Sequence, residues 1–179
     1  GHVFSLDEAF GTWRVVLKKK KKKTELDFSA MQGKDIFEDL RRRDFTINSI
    51  AIHLKDMGRP SEACLIDPLN GLGDLHKRIL RASSEESLRQ DPLRMLRAFR
   101  FASILKFSVE DETWRMIQKN CGLIKRSAGE RIRAEFFAGL GEKESSRFLR
   151  HLHRAGLLEE IFPELGGWEK LNLGGESSL

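Results

Sequence analysis

The sequence is poor in the features that would place it outside a water-soluble folded class. No apolar stretch approaches the ~20 residues needed to span a bilayer, and the N-terminus has no basic segment followed by an apolar one, as a secretory leader would. These absences predict a cytoplasmic protein with no membrane partner. The chain has only two cysteines, Cys64 and Cys121, far apart and in no CxxC or Cys/His cluster. That excludes a disulfide framework and a cysteine-built zinc site, and leaves two core thiols as the reading. There is no internal repeat of fixed period. What is present, 179 residues that are 40% hydrophobic with 12 Phe, is enough for one ordinary domain or two small ones with a real core.

Net basicity says little. The formal charge is +5, but the run Lys18 to Lys23 holds six positive charges, and without it the chain is close to neutral. Such a run reads as a self-repelling loop tip. Distribution is more informative: thirteen of the eighteen arginines lie between residues 77 and 154. Arginine is suited to bidentate contacts with phosphates and base edges, so an anionic partner is a natural reading of that half. A solvated helical surface with Glu partners is the competing one.

Periodicity organises the chain. Thr12 to Leu17 and Glu25 to Phe28 alternate as two short strands joined across the lysines, which predicts a hairpin. Asp35 is placed to cap a short helix running to Arg42, and Ile47 to Leu54 alternates as a further strand. After Gly58-Arg59-Pro60, the stretch Leu65 to Asp74 reads as a strand end entering a glycine-punctuated turn. From Glu85 onward the period is helical. Asp91 can cap, Pro92 suits the first helical position, and Leu93, Leu96, Phe99 and Phe101 form an apolar face. Further helices are predicted over 110–120, 127–140 and 144–155, divided by Gly122, Gly141 and Gly156.

Two segments carry chemistry. Arg42-Arg43-Asp44-Phe45-Thr46-Ile47-Asn48 sets two guanidinium groups, a carboxylate, a hydroxyl and an amide together. Such groups can grip a triphosphate and read ribose hydroxyls, although they also fit a salt-bridged corner. Gln90-Asp91-Pro92-Leu93-Arg94-Met95-Leu96-Arg97-Ala98-Phe99-Arg100 repeats arginine every third residue, making one helix face cationic. Asp91 and Arg94 together offer an acceptor and donors, as reading a base edge requires; an N-cap with an ion pair is the plainer alternative.

In this order, and joined by Asp67-Pro68-Leu69-Asn70-Gly71-Leu72-Gly73-Asp74-Leu75, these segments closely resemble the class II tRNA nucleotidyltransferase and bacterial poly(A) polymerase family. The resemblance runs from about Val3 to at least Leu165. It implies an α+β fold: an incomplete, polymerase-beta-like nucleotidyltransferase head with a small mixed sheet over residues 1–74, an all-α neck and start of body over 75–165, and a flexible tail over 166–179. It implies template-independent transfer of CMP or AMP from CTP or ATP to an RNA 3′ end, most naturally that of tRNA, by a two-metal Mg²⁺ mechanism.

Matched residue by residue, the resemblance assigns Arg42, Arg43, Asp44, Asn48, Arg97 and Arg100 to ribose and triphosphate, and Asp91 and Arg94 to reading the base. Asp67, Gly71, Gly73 and Asp74 fall in a hinge, Glu130-Arg131 starts the last neck motif, and Asp27 matches a third carboxylate supporting the metals. The paired DxD carboxylates of the family would precede Val3 and are not in this sequence, so the chain alone is expected to lack polymerase activity. Gln90 stands where many relatives have Glu. A poly(A) polymerase and a non-catalytic RNA-binding helical module remain alternatives on the same residues.

Overall fold

In the computed structural model the described residues are 2–7, 11–19, 22–58 and 61–165. By packing, the chain divides into two compact units, Gly1–Asp39 and Leu40–Leu179.

The first unit is a three-stranded antiparallel sheet ordered β1-β2-β3, from His2–Asp7, Thr12–Lys19 and Lys22–Ser29. The expected hairpin is present but longer than the alternation suggested. The strands continue into the lysine run, with Lys18 opposite Lys23 and Lys19 opposite Lys22. Backbone pairing carries the ladder there although Lys18 and Lys23, opposite each other, bear like charges, which disfavour pairing by side-chain electrostatics alone. Val16 is buried, whereas Val3, Trp13, Leu17 and Phe28 are exposed. The short helix α1, Ile36–Arg41, follows, and Asp35 caps it as predicted, its Oδ1 accepting from the Glu38 amide at 2.8 Å. The division between units falls within this helix.

The second unit is mainly helical. Ile47 to Leu54 is not one strand. Thr46–Asn48 forms a 3₁₀ turn and only Ala51–Ile52 (β4) is extended, paired antiparallel with Leu65–Ile66 (β5). The reason is local hydrogen bonding: the Asn48 and Ser49 amides donate to the Phe45 and Thr46 carbonyls, and the Ser49 hydroxyl donates to the Phe45 carbonyl. The expected glycine turn is also a helix, α2, Gly71–Lys77. Asn70 enters it in the left-handed conformation, and Asp67 satisfies its first amides, Oδ1 taking Gly71 N at 2.7 Å and Oδ2 taking Leu72 N at 2.9 Å.

Beyond α2, Ile79–Leu80 (β6) pairs in parallel with Ser108–Val109 (β7), a ladder the helical periodicity concealed. Between them lie α3, Glu85–Gln90, and α4, Leu93–Leu105. Then come α5, Asp111–Asn120; α6, Gly129–Leu140; α7, Ser145–Arg154; and α8, Leu157–Ile161. Helix α4 is the centre. Met95, Leu96, Ala98, Phe99 and Ala102 are fully buried, packed with Ile117, Ile124, Phe148, Leu152 and Leu157. Phe101 is only partly buried: its ring meets that of Phe45 nearly at right angles, centroids 5.8 Å apart, and the Arg97 and Arg100 guanidinium groups lie 5.0 and 4.7 Å from its centre.

Cys64 and Cys121 are free and half-buried; Cys121 packs against the core, as expected, whereas Cys64 is not part of it. The predicted tail, 166–179, lies outside the described residues. Among the described residues no helix is long and apolar enough to cross a membrane.

Candidate nucleotide site

The two arginine-rich segments meet. Phe45 bridges to Ala82, with Thr46 N donating to the Arg81 carbonyl and Ser83 N to the Asp44 carbonyl, so the 42–48 corner is laced to the strand leading into α3 and α4. Across this seam Arg97 on α4 donates from Nε and Nη2 to one oxygen of Asp44, at 3.1 and 2.8 Å. The other Asp44 oxygen accepts from Phe45 N at 2.9 Å and Asn48 Nδ2 at 3.0 Å. A nearly buried carboxylate with this many donors is fixed in orientation, and it fixes Arg97 and Asn48 in turn.

Arg94 is held differently. Its Nη1 donates to the Arg42 carbonyl at 2.9 Å and the Ser87 carbonyl at 3.3 Å. Burial lowers its pKa below the usual value, opposed by Asp44 and Asp91, although a guanidinium stays charged.

Asp91 is not the helix cap that its position before Pro92 suggested. It ends α3 in an extended conformation, and its carboxylate accepts from Arg131 Nη2 on α6 at 3.0 Å. Asp91 and Arg94 are joined through the backbone, Arg94 N donating to the Asp91 carbonyl at 3.0 Å, while their side chains take other partners and line the same opening. That opening has a volume of about 300 Å³ and is lined by Arg43, Asp44, Asp91, Leu93, Arg94, Arg97 and Arg131. Four guanidinium groups face two carboxylates, an excess of positive charge suited to an anion.

The remaining predicted site residues stand elsewhere. Arg100 turns to α6, where it is paired with Glu135, and it does not line the opening. Arg42 contributes its backbone carbonyl. Asp27, in the first unit, has both carboxylate oxygens on Arg14, at 2.6 and 2.7 Å, and this contact holds its pKa below the usual carboxylate value.

The segment expected to be a hinge is tightly built. Asp74 is buried and accepts from the Thr46 hydroxyl at 2.8 Å and from Arg81 Nε at 2.9 Å, while Arg81 Nη1 reaches Glu110 at 2.8 Å. Glu110 caps α5 through the Thr113 amide and hydroxyl, and the Thr113 hydroxyl accepts from Ala82 N. The glycines here answer to space, not to backbone freedom: neither Gly71 nor Gly73 has positive φ. A Cβ at position 71 would sit 2.0 Å from the Thr46 carbonyl oxygen.

Sequence reasoning did not single out Arg81, Glu110, Thr113 or Glu135, and it assigned Arg131 no contact. Arg81 reaches Asp74 seven residues back, but the contacts Arg81–Glu110, Thr113–Ala82, Glu135–Arg100 and Arg131–Asp91 each span more than twenty residues of chain, and no local spacing reveals such a partner. The one available signal was the excess of arginine in this half.

An α+β chain with a small sheet, a helical neck, and two cationic motifs converging on one cavity defines the head-and-neck class of nucleotidyltransferases. Comparison with known proteins agrees. Residues 8–81 match the family described as Poly A polymerase head domain, and residues 106–167 match the Probable RNA and SrmB-binding site of polymerase A. The chain is 38% identical over 180 residues to the A-adding tRNA nucleotidyltransferase of Deinococcus radiodurans, covering 98% of this chain and 39% of that protein. It is 39% identical over 162 residues to the CC-adding tRNA nucleotidyltransferase of Geobacter sulfurreducens, covering 90% and 36%. The Thermotoga maritima CCA-adding enzyme complexed with tRNA superposes with a TM-score of 0.77 at 32% identity, covering 92% of this chain and 38% of that one. The chain belongs to the tRNA nucleotidyltransferase and poly(A) polymerase family, and it spans less than half the length of these relatives.

Proposed function

We propose that this chain forms the nucleotide-holding part of an enzyme that transfers CMP or AMP from CTP or ATP to the 3′ end of tRNA in the cytoplasm. The observation that carries the reading is the convergence of Arg43 and Asp44 with Asp91, Arg94 and Arg97 on one cavity of about 300 Å³. A triphosphate brings several negative charges and planar phosphate edges, which guanidinium forks match in shape and charge. The reaction joins the RNA 3′-hydroxyl oxygen to the α-phosphorus and releases pyrophosphate.

In this scheme Arg43 and Arg97 neutralise the triphosphate. Asp44 and Asn48 accept from and donate to the ribose hydroxyls, favouring ribonucleotides. Arg94, steadied by two backbone carbonyls, presents its donors to the Watson–Crick edge of the base, with Asp91 as the acceptor beside it. Arg42 and Arg100 serve the same nucleotide in the family pattern. Here Arg100 does so by tying α4 to α6 through Glu135, keeping the arginine face aligned. The segment from Asp67 to Asp74 joins the head, residues 1–74, to the neck, and transmits position through Thr46, Asp74 and Arg81.

The family's chemistry uses Mg²⁺. The described residues do not suit a metal pair: they include no cluster of three His, Cys, Asp or Glu side chains placed to hold an ion, and Asp27 is fully engaged by Arg14.

Titration of the chain with the four ribonucleoside triphosphates and dATP tests the reading, beside an Asp91→Ala, Arg94→Ala double variant. Preferential binding of ATP or CTP that the double variant loses supports it. RNA binding without nucleotide preference in a folded chain would sink it in favour of a non-catalytic RNA-binding module. Product analysis on the complete protein then separates addition of C and A to tRNA from runs of A on many RNAs.

A further inference from the structure

Glu110 does more than its place at the start of a helix requires. The usual N-caps are short side chains, Ser, Thr, Asp or Asn, whose oxygen reaches an amide two or three residues on. Glu110 caps α5 with one oxygen alone: Oε2 accepts from the Thr113 amide at 2.7 Å and from the Thr113 hydroxyl at 2.9 Å. Its other oxygen, Oε1, accepts from Arg81 Nη1 at 2.8 Å, 29 residues back in the chain. A serine at position 110 would serve the helix but would be too short to hold Arg81.

Two arms lead from Glu110 to the corner that carries Asp44. In the first, Arg81 spans Glu110 and Asp74, and Asp74 Oδ2 accepts both Arg81 Nε at 2.9 Å and the Thr46 hydroxyl at 2.8 Å. In the second, the Thr113 hydroxyl accepts from Ala82 N at 3.0 Å, and the next amide, Ser83 N, donates to the Asp44 carbonyl at 3.0 Å. Residues 80–83 are therefore bonded on one side to the start of α5 and on the other to residues 44–46. Asp74 and Thr113 are buried, and the Glu110 side chain is 21% exposed, so water screens these bonds poorly and a shift in one is felt by the next. Arg81 ends the segment matching the head domain, and Glu110 lies in the other matched segment, so the network joins the two.

We propose that Glu110 is a positioning residue for ribose recognition. Through Arg81 and Thr113 it fixes the backbone of residues 44–46, and with it the angle at which the Asp44 carboxylate meets the ribose hydroxyls. The proposal rests on the ribose role given to Asp44 above. Glu110 does not line the nucleotide cavity, so its effect on selectivity passes through these bonds.

The readout is the ratio of ATP to dATP affinity, titrated for each variant alongside denaturant unfolding. Glu110→Ser keeps the cap on α5 and gives up Arg81. Its preference for ATP should fall about threefold to fivefold, the worth of one ordinary hydrogen bond moved out of line. Thr113→Val removes the acceptor for Ala82 N and should give a similar fall, whereas Thr113→Ser keeps a hydroxyl and should restore the ratio. Ile117→Val, in the buried core of the same helix and outside the network, should lower stability without moving the ratio. Adding Glu110→Ser to Asp44→Asn should change the ratio no further, because the group being positioned is already gone.

An unchanged ratio in Glu110→Ser and Thr113→Val, in a chain that prefers ATP, would overturn the proposal and leave the function above standing. An equal fall in Ile117→Val, or an additive fall in the double variant, would reduce Glu110 to a structural cap. If Glu110→Ser fails to fold, the contrast between Thr113→Val and Thr113→Ser decides the matter alone. An unaltered chain that binds ATP and dATP equally would remove the ribose role of Asp44 and this proposal with it.

Discussion

Arg97 grips a single oxygen of Asp44 with two of its nitrogens, at 3.1 and 2.8 Å, although fifty-three residues separate them in sequence. The contact joins the 42–48 corner to α4, the helix that also carries Arg94. It leaves the other Asp44 oxygen to orient Asn48.

Replacing Asp44 by Asn should therefore have two effects. The shape survives, but the partner charge of Arg97 is lost at a site where Asp44 is nearly buried and Arg97 about one-third exposed. Breaking such a pair costs several kcal/mol when fully buried; the exposure of Arg97 reduces this to about 2 kcal/mol. Denaturant unfolding checks that value. Because Asp44 is also the proposed ribose acceptor, the preference for ATP over dATP should shrink roughly tenfold, by the loss of one charged hydrogen bond. An unaltered ATP-to-dATP ratio would remove Asp44 from ribose recognition.

Gly71→Ala tests whether the glycine at the start of α2 serves packing. With its Cβ 2.0 Å from the Thr46 carbonyl oxygen, a backbone atom that cannot swing aside, α2 or the 46–48 turn must move. A destabilisation of about 3 kcal/mol is expected, as for overpacked sites. Gly73→Ala meets the Asn70 side chain, which can rotate away, and should cost less. Equal small losses at both positions would favour a flexible hinge.

The pH dependence of stability should carry the mark of His151. Its pKa is about 4 in the folded chain and near 6.5 when unfolded. The unfolded state therefore takes up the proton first. The contribution is complete above pH about 6.5 and is lost as the pH falls through about 4. Since the ring is only half-buried, roughly 1–2 kcal/mol is expected after allowing for solvent screening. Unfolding of His151→Gln between pH 4 and 7 should show a shallower slope; an identical slope would refute the assignment.

Incubated with tRNA lacking its 3′ end, ATP, CTP and Mg²⁺, this chain alone should incorporate no nucleotide, while the complete protein should. Incorporation by the chain alone would show that metal ligands exist among its residues after all. Failure of the complete protein to add either nucleotide would refute the proposed function.

Much of the site was legible in the sequence because its chemistry is local. The groups of the 42–48 corner and the arginines three apart from Arg94 are read from spacing, and the order of the motifs points to the family. The helical period found α5 to α7 to within about two residues, since buried faces repeat with the turn of the helix. Short-range hydrogen bonding was less visible. The 3₁₀ turn at Thr46–Asn48 replaced an expected strand, and the left-handed Asn70 with the Asp67 cap made a helix where glycines suggested a turn.

By itself, then, the sequence determined which groups are present, on which helices, and that their charge is concentrated in the second half of the chain. Only the tertiary structure decided how those groups pair: Arg97 with Asp44, Asp91 with Arg131, Arg100 with Glu135, and Asp74 with Arg81. Local spacing cannot choose among eighteen arginines for a given carboxylate, because an ion pair depends on distance in space and on burial. Both are set by the packing of the whole core around α4.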